Sequence, residues 1–127
     1  MIHLIKKIIL TKKANINYTW QHKMAFLDVE KRLLGKNTLR GILHDFDKIF
    51  LYIFLSKKTT QKIHRFWARH HRLRAKSTKD YEQMVIDWES ARVTKPDKPL
   101  TAVQTLYEYY PDLVDIILPI LKRFKLI

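Results

Sequence analysis

Only two glycines, Gly35 and Gly41, occur in 127 residues. Turn-rich sandwiches and Rossmann-type sheets need glycine wherever the chain takes positive φ or passes close to its own backbone. The scarcity, together with four prolines and long runs lacking turn residues, therefore predicts an all-α protein. A chain of this length fits one domain with one core, and 46% hydrophobic residues with 12% aromatics argue against disorder. Cysteine is absent, which excludes a disulfide framework and any thiolate metal site and fits a reducing cytoplasm.

Apolar residues recur at helical spacing along most of the chain. Ile2, Ile5, Ile8 and Ile9, set against Lys6, Lys7, Lys12 and Lys13, predict a short amphipathic helix or arm within residues 1–16. Tyr18, His22, Ala25, Phe26, Val29 and Leu33 form the core-facing stripe of a second helix that Gly35 stops, which puts His22 on a buried face. Asn37 or Thr38 can cap a helix running to about Leu55, apolar nearly all round and so expected to be central and buried. A basic turn near 56–60 precedes a helix from about Thr60 to His71, with His64, Trp67, Ala68 and His71 along one side. Ser77 or Thr78 caps a helix to about Arg92, whose stripe of Tyr81, Met84, Val85, Trp88 and Ala91 carries Asp87 at its edge. Pro96 and Pro99 mark a linker-like loop. Two short helices follow, with Pro111 in a first turn and Pro119 expected to kink or break the last. The expected fold is a single all-α bundle of about five to seven helices: a core over 18–110, the N-terminal arm, and a C-terminal helix over 111–127.

The formal net charge is +13, which implies anionic partners: nucleic acid, nucleotides or a membrane surface. No Asp or Glu falls between Lys48 and Lys79, where Lys48, Lys57, Lys58, Lys62, Arg65, Arg69, Arg72, Arg74, Lys76 and Lys79 all lie. Such a block can focus potential toward a phosphate-bearing substrate; a charge run taken alone is more simply a solvated face. The longest apolar run, Ile49 to Leu55, is far short of the roughly 20 residues of a spanning helix. Lys6 and Lys7 interrupt the apolar start and no small-residue cleavage site follows, so a signal peptide is not expected and a cytoplasmic location is.

His44 and Asp45 stand side by side in a stretch that is otherwise almost wholly apolar: Ile42, Leu43, Phe46, Ile49, Phe50 and Leu51. Burying unpartnered polar groups costs roughly 2–7 kcal/mol, so the pair needs a partner. A divalent cation is one, since neutral imidazole and carboxylate are ordinary ligands for zinc, iron and manganese.

The order His22, then His44-Asp45, then Asp87, on buried helices, resembles the HD-domain superfamily of metal-dependent phosphohydrolases. The local words Thr19-Trp20-Gln21-His22-Lys23, Leu43-His44-Asp45-Phe46-Asp47-Lys48, Phe66-Trp67-Ala68-Arg69-His70-His71 and Ile86-Asp87-Trp88-Glu89 look like a small branch of HD-like proteins, largely of unassigned function, found in bacteria and phages. The resemblance covers roughly residues 18–110 and implies an HD-like helical domain. It implies that His22, His44, Asp45 and Asp87 hold a divalent ion (manganese, iron, zinc, nickel, cobalt or magnesium) with positions left open for water and substrate oxygen. Lys48 would then hold the phosphate, and His64, His70 or His71 would protonate the leaving group or bind a second ion. Arg65, Arg69, Arg72 and Arg74 would neutralise a nucleotide, cyclic nucleotide or oligonucleotide substrate. In that branch the His-His pair is followed shortly by further histidines. Here Arg74, Ala75, Lys76 and Ser77 stand there, so a complete second ion site is not carried over.

Taken singly, His22 is more often a hydrogen-bonded core histidine than a ligand, Asp87 a partner of Lys48 or an arginine, and His70-His71 an exposed pair; it is the four together, in family order, that favour a metal site. The expected activity is metal-dependent phosphoester hydrolysis. Two other classes stay open. One is a non-catalytic basic helical protein that binds nucleic acid or an acidic protein, as a phage-encoded inhibitor or accessory factor would. The other is peripheral membrane attachment through the lysine-bearing ends at 2–13 and 112–127, whose apolar faces are more simply expected to pack on the bundle. A homodimer is compatible with either.

Overall fold

The structure, a computed structural model, describes residues 1–68, 70–71, 75–95, 97 and 99–127, with Trp67 described by its backbone alone. These residues form seven α-helices and one 3₁₀ turn, with no strand among them: α1 (Ile2–Leu34), α2 (Leu39–Leu43), α3 (Phe46–Phe54), α4 (Lys57–Trp67), α5 (Thr78–Thr94), α6 (Ala102–Tyr109), the turn Pro111–Leu113, and α7 (Val114–Arg123). The all-α bundle expected from the sequence is what the chain forms.

α1 is one continuous helix of 33 residues, about 50 Å long, where a separate arm and helix were expected. Nothing between Lys13 and Tyr18 breaks it: Asn15 and Asn17 have middling helix propensity, and no glycine or proline intervenes. Gly35 ends it as expected, in the left-handed region at φ 80°, its N–H donating to Lys31 O at 2.9 Å.

The expected helix through Leu55 is two helices, broken at the His44-Asp45 doublet. Thr38 caps α2, its Oγ1 accepting from Gly41 N–H at 3.1 Å. Glu30 of α1 accepts from the Thr38 N–H (2.9 Å) and hydroxyl (2.7 Å). A Cβ at position 41 would meet the Glu30 carboxylate, which would have to shift off its Thr38 partners to admit it. His44 then leaves helical geometry (φ −56°, ψ 129°), and Asp45 sits in the left-handed region (φ 58°) before α3 begins. The buried Lys23 of α1 makes the break tolerable: its ammonium donates to Ile42 O and, at 3.3 Å, to His44 O, carbonyls that a continuing helix would have satisfied.

α3 is not the central helix. Ile42, Leu43, Phe46, Phe50, Ile53 and Phe54 are exposed, and Tyr52 alone on α3 is buried. The central element is α5, which packs against α1, α6 and α7. Its Met84, Val85, Ile86 and Trp88 meet Phe26 and Val29 of α1, Ala102 and Leu106 of α6, and Leu113, Ile117, Ile120, Leu121 and Phe124 at the C-terminal end. A Ser77–Asp80 capping box starts α5, and Arg40 of α2 pairs with Asp80. Glu89, buried on α5, accepts from Ala102 N–H at 2.8 Å and so joins α5 to the start of α6. Pro111 takes the first position of the 3₁₀ turn, and α7 runs through Pro119 without the expected break. α4 begins earlier than expected, under a Ser56 cap, and ends before His70-His71.

Two regions result. Residues of α1, α5, α6 and α7 enclose an apolar core, whereas α2–α4 and the turn after α4 bury His44, Asp45, Thr60, His64 and His70.

Candidate metal centre

The break between α2 and α3 aims both members of the doublet inward: His44 and Asp45 are each 2% exposed. α1 supplies His22 and α5 supplies Asp87 from the facing side. One ligand atom from each of His22, His44, Asp45 and Asp87 lies within 4.8 Å of the others. His22 Nε2 is 2.7 Å from Asp87 Oδ1 and 3.8 Å from Asp45 Oδ2. His44 Nε2 is 3.0 Å from Asp87 Oδ1 and 3.3 Å from Asp45 Oδ2. The four residues singled out from the sequence are therefore brought together.

The surrounding hydrogen bonds orient these rings. Thr94 Oγ1 donates to Ser90 O (3.3 Å) and meets His22 Nδ1 at 3.3 Å, which holds the His22 ring with Nε2 toward the cluster. The Gln83 amide meets His44 Nδ1 at 3.1 Å, and Phe26 stacks on the His44 ring at 3.9 Å between centroids. Asp45 Oδ1 is buried with no well-directed hydrogen bond among the described residues. His22 Nε2 and His44 Nε2 both stand within hydrogen-bond distance of Asp87 Oδ1, and this converging set of imidazole nitrogens and carboxylate oxygens is one that could hold a divalent cation.

The remaining histidines adjoin this centre. His64 sits between two carboxylates: Nδ1 lies 2.7 Å from Asp47 Oδ2, and Nε2 lies 2.9 Å from Asp45 Oδ1. His70 Nε2 is 3.5 Å from Asp45 Oδ1 and 3.3 Å from His64 Nε2. The His70 and His71 rings lie 4.1 Å apart, and His70 is buried rather than exposed. Asp45, Asp47 and His64, and likewise His64, His70 and His71, are further groups whose ligand atoms lie within 4.8 Å. Lys48 Nζ is 3.3 Å from Asp45 Oδ2.

These contacts set the charges. Burial opposes ionisation of Asp45, but His44, His64 and Lys48 outweigh it and hold the carboxyl well below the usual range. Burial likewise opposes the Asp87 charge, and His22 and His44 override it in the same direction. Burial would discharge Lys48, yet Asp45, Asp87 and Tyr52 keep it a firm ammonium. Burial also lowers His64, but the carboxylates of Asp45 and Asp47 against its two ring nitrogens raise it above an ordinary imidazole. His71, in contrast, is pushed down to about 4 by burial and is neutral near pH 7.

A cavity of about 600 Å³ opens over the cluster. Tyr18, His22, Asp45, Lys48, His64, His71, Asp87 and Thr94 line it, with Lys57, Arg65 and Lys95 adding positive charge. A second hollow of about 560 Å³ shares Arg65, His71, Asp87, Ala91 and Lys95 with the first and extends along Trp88, Leu100, Tyr109 and Tyr110. Arg65 is exposed on the shared wall. Arg69, Arg72 and Arg74, expected to help bind phosphate, lie outside the described residues.

Sequence reasoning gave no role to Lys23, Asp47, Gln83 or Thr94. The signal for two of them was present: Gln83, Asp87 and Thr94 are spaced four and seven apart, one face of α5. Lys23 and Asp47 stand next to motif residues, but their work depends on the break at Asp45, which helical periodicity does not register. Comparison of the chain with protein-family models, with curated proteins and with solved structures finds no match.

Proposed function

We propose that this protein is a metal-dependent phosphohydrolase of HD-like character acting on a nucleotide or a related phosphoester. The observation that carries the proposal is the convergence of two imidazoles and two carboxylates beneath an open, cation-lined cavity. His22, His44, Asp45 and Asp87 would hold the ion. When bound, a divalent cation supplies Lewis-acid polarisation of a phosphoryl oxygen and lowers the pKa of water.

The chain's own residues do the rest. Lys48 stays charged at the cavity wall and neutralises a phosphate oxygen, helped by Lys57, Arg65 and Lys95. His71 lines the same cavity and is neutral near pH 7, so it would offer an uncharged imidazole beside the substrate. His64 holds a proton between Asp45 and Asp47 and fixes the Asp45 carboxylate. Of the three histidines considered for proton transfer, His64 and His71 line the large cavity, while His70 borders a smaller hollow on the far side of the cluster. Trp88, Leu100, Tyr109 and Tyr110 give the adjoining hollow the apolar, aromatic wall that a nucleobase requires.

Elemental analysis of the purified protein, followed by turnover of a phosphoester panel under manganese, iron, nickel, cobalt, zinc and magnesium, tests the proposal. The expected result is about one or more ions per chain and hydrolysis that His44→Ala and Asp87→Asn each reduce by at least about 100-fold. No bound metal and no turnover would overturn it. A biological activity that survives both substitutions would instead assign the chain to non-catalytic binding through its basic face.

A further inference from the structure

We propose that residues 2–11, the exposed N-terminal portion of α1, are an interfacial helix that docks this protein on an anionic lipid bilayer. Both apolar ends of the chain were expected to pack on the bundle, and only one does. At the C-terminal end Leu113, Ile117, Ile120, Leu121 and Phe124 are core residues. At the N-terminal end Ile2, Leu4, Ile5, Ile8, Ile9 and Leu10 are between 46% and 69% exposed.

The cause is geometric. Lys12 donates to Tyr52 O (3.2 Å) and Leu55 O (3.1 Å), which pins α1 to the last turn of α3. Residues ahead of Lys12 therefore run past the end of that neighbour, and each of residues 1–11 is exposed. At about 100° per residue, Ile2, Leu4, Ile5, Ile8 and Ile9 share one arc of this overhang, with Lys12 at its base, while His3, Lys6, Lys7 and Lys13 share the other with Leu10 among them. The last turn of α3, pinned beside Lys12, exposes Ile53 and Phe54, the latter at 80%.

Charge selects the occupant. No Asp or Glu precedes Asp28, so the overhang carries only positive side chains, in a molecule of net charge +13. A second copy laid against this face would bring two lysine clusters together, whereas anionic headgroups neutralise them while the isoleucines enter the acyl boundary. Among the described residues no helix is long and apolar enough to cross a membrane, so this helix would lie on the surface. The inference is independent of the phosphohydrolase reading.

Co-sedimentation of the full chain with vesicles tests it, comparing about one-third phosphatidylglycerol in phosphatidylcholine with pure phosphatidylcholine at about 0.15 M salt. The expected result is at least tenfold stronger partitioning onto the anionic vesicles. The Ile5→Glu, Ile9→Glu double variant should lose that binding at least tenfold with unchanged helix content, because both positions are solvent-exposed. Lys6→Glu with Lys7→Glu should remove the preference for anionic lipid. Absence of vesicle binding would overturn the proposal. So would binding that the isoleucine variant leaves intact, which would mark bare charge adsorption. Light scattering showing a dimer that this variant dissolves, without vesicle binding, would assign the face to a second copy.

Discussion

Asp45 is the residue on which the site turns, because it does two jobs that a regular helix could not give it. In the left-handed region it ends one helix and starts another, and its two oxygens then face different partners: Oδ2 toward His22, His44 and Lys48, Oδ1 toward His64 and His70. Aspartate tolerates this backbone better than most residues. Asp80 shows the same chemistry with no site attached. Burial opposes its charge, but Arg40 and the N–H groups of Lys76 and Ser77 lower it to about 2. A depressed folded pKa means that its stabilising contribution is complete above the ordinary 3.8 and fades as pH falls through about 2. Asp80→Asn should therefore cost about 2 kcal/mol in urea denaturation near neutral pH, and the gap from the parent protein should narrow as pH drops below 3.8. A gap that stays constant through that window would show that the carboxylate charge contributes nothing.

At the scale of elements, the sequence was read well where periodicity and capping decide the outcome. The His22, Phe26 and Val29 stripe, the Gly35 stop, the Ser77 cap and the α5 stripe all follow from local rules. It was read poorly between Thr38 and Leu55, because apolar composition there resembles a buried helix and the signal for the break lies elsewhere. Lys23, on another helix, satisfies the carbonyls of Ile42 and His44, and burial lowers its own pKa. Only tertiary contact shows that a kink is affordable at the doublet. Lys23→Met should leave both carbonyls short of a donor, with a loss of about 3 kcal/mol in stability and weaker metal binding by titration. Unchanged stability would mean that water replaces the ammonium. The same misreading explains the exposed phenylalanines of α3: a helix displaced to the rim by the break keeps its apolar sequence but not its burial.

The whole molecule is unevenly held together. The part built from α1, α5, α6 and α7 is secured by apolar packing, which forms without any ligand. Among the described residues, the part built from α2, α3, α4 and the following turn contributes to the interior Gly41, Tyr52, Thr60, the Asp45 carboxylate and the imidazoles of His44, His64 and His70, and little hydrocarbon. Amide hydrogen exchange should therefore be graded, with α5 the slowest and α3–α4 faster by at least about tenfold, and added divalent cation should slow the second region much more than the first. Uniform exchange throughout would refute this division. Its consequence reaches past the chemistry of the site: if the proposed cation is what balances those carboxylates, its removal should loosen α3–α4 and expose that region to proteases. Limited proteolysis with and without chelator would then show whether cation supply governs how long the chain survives.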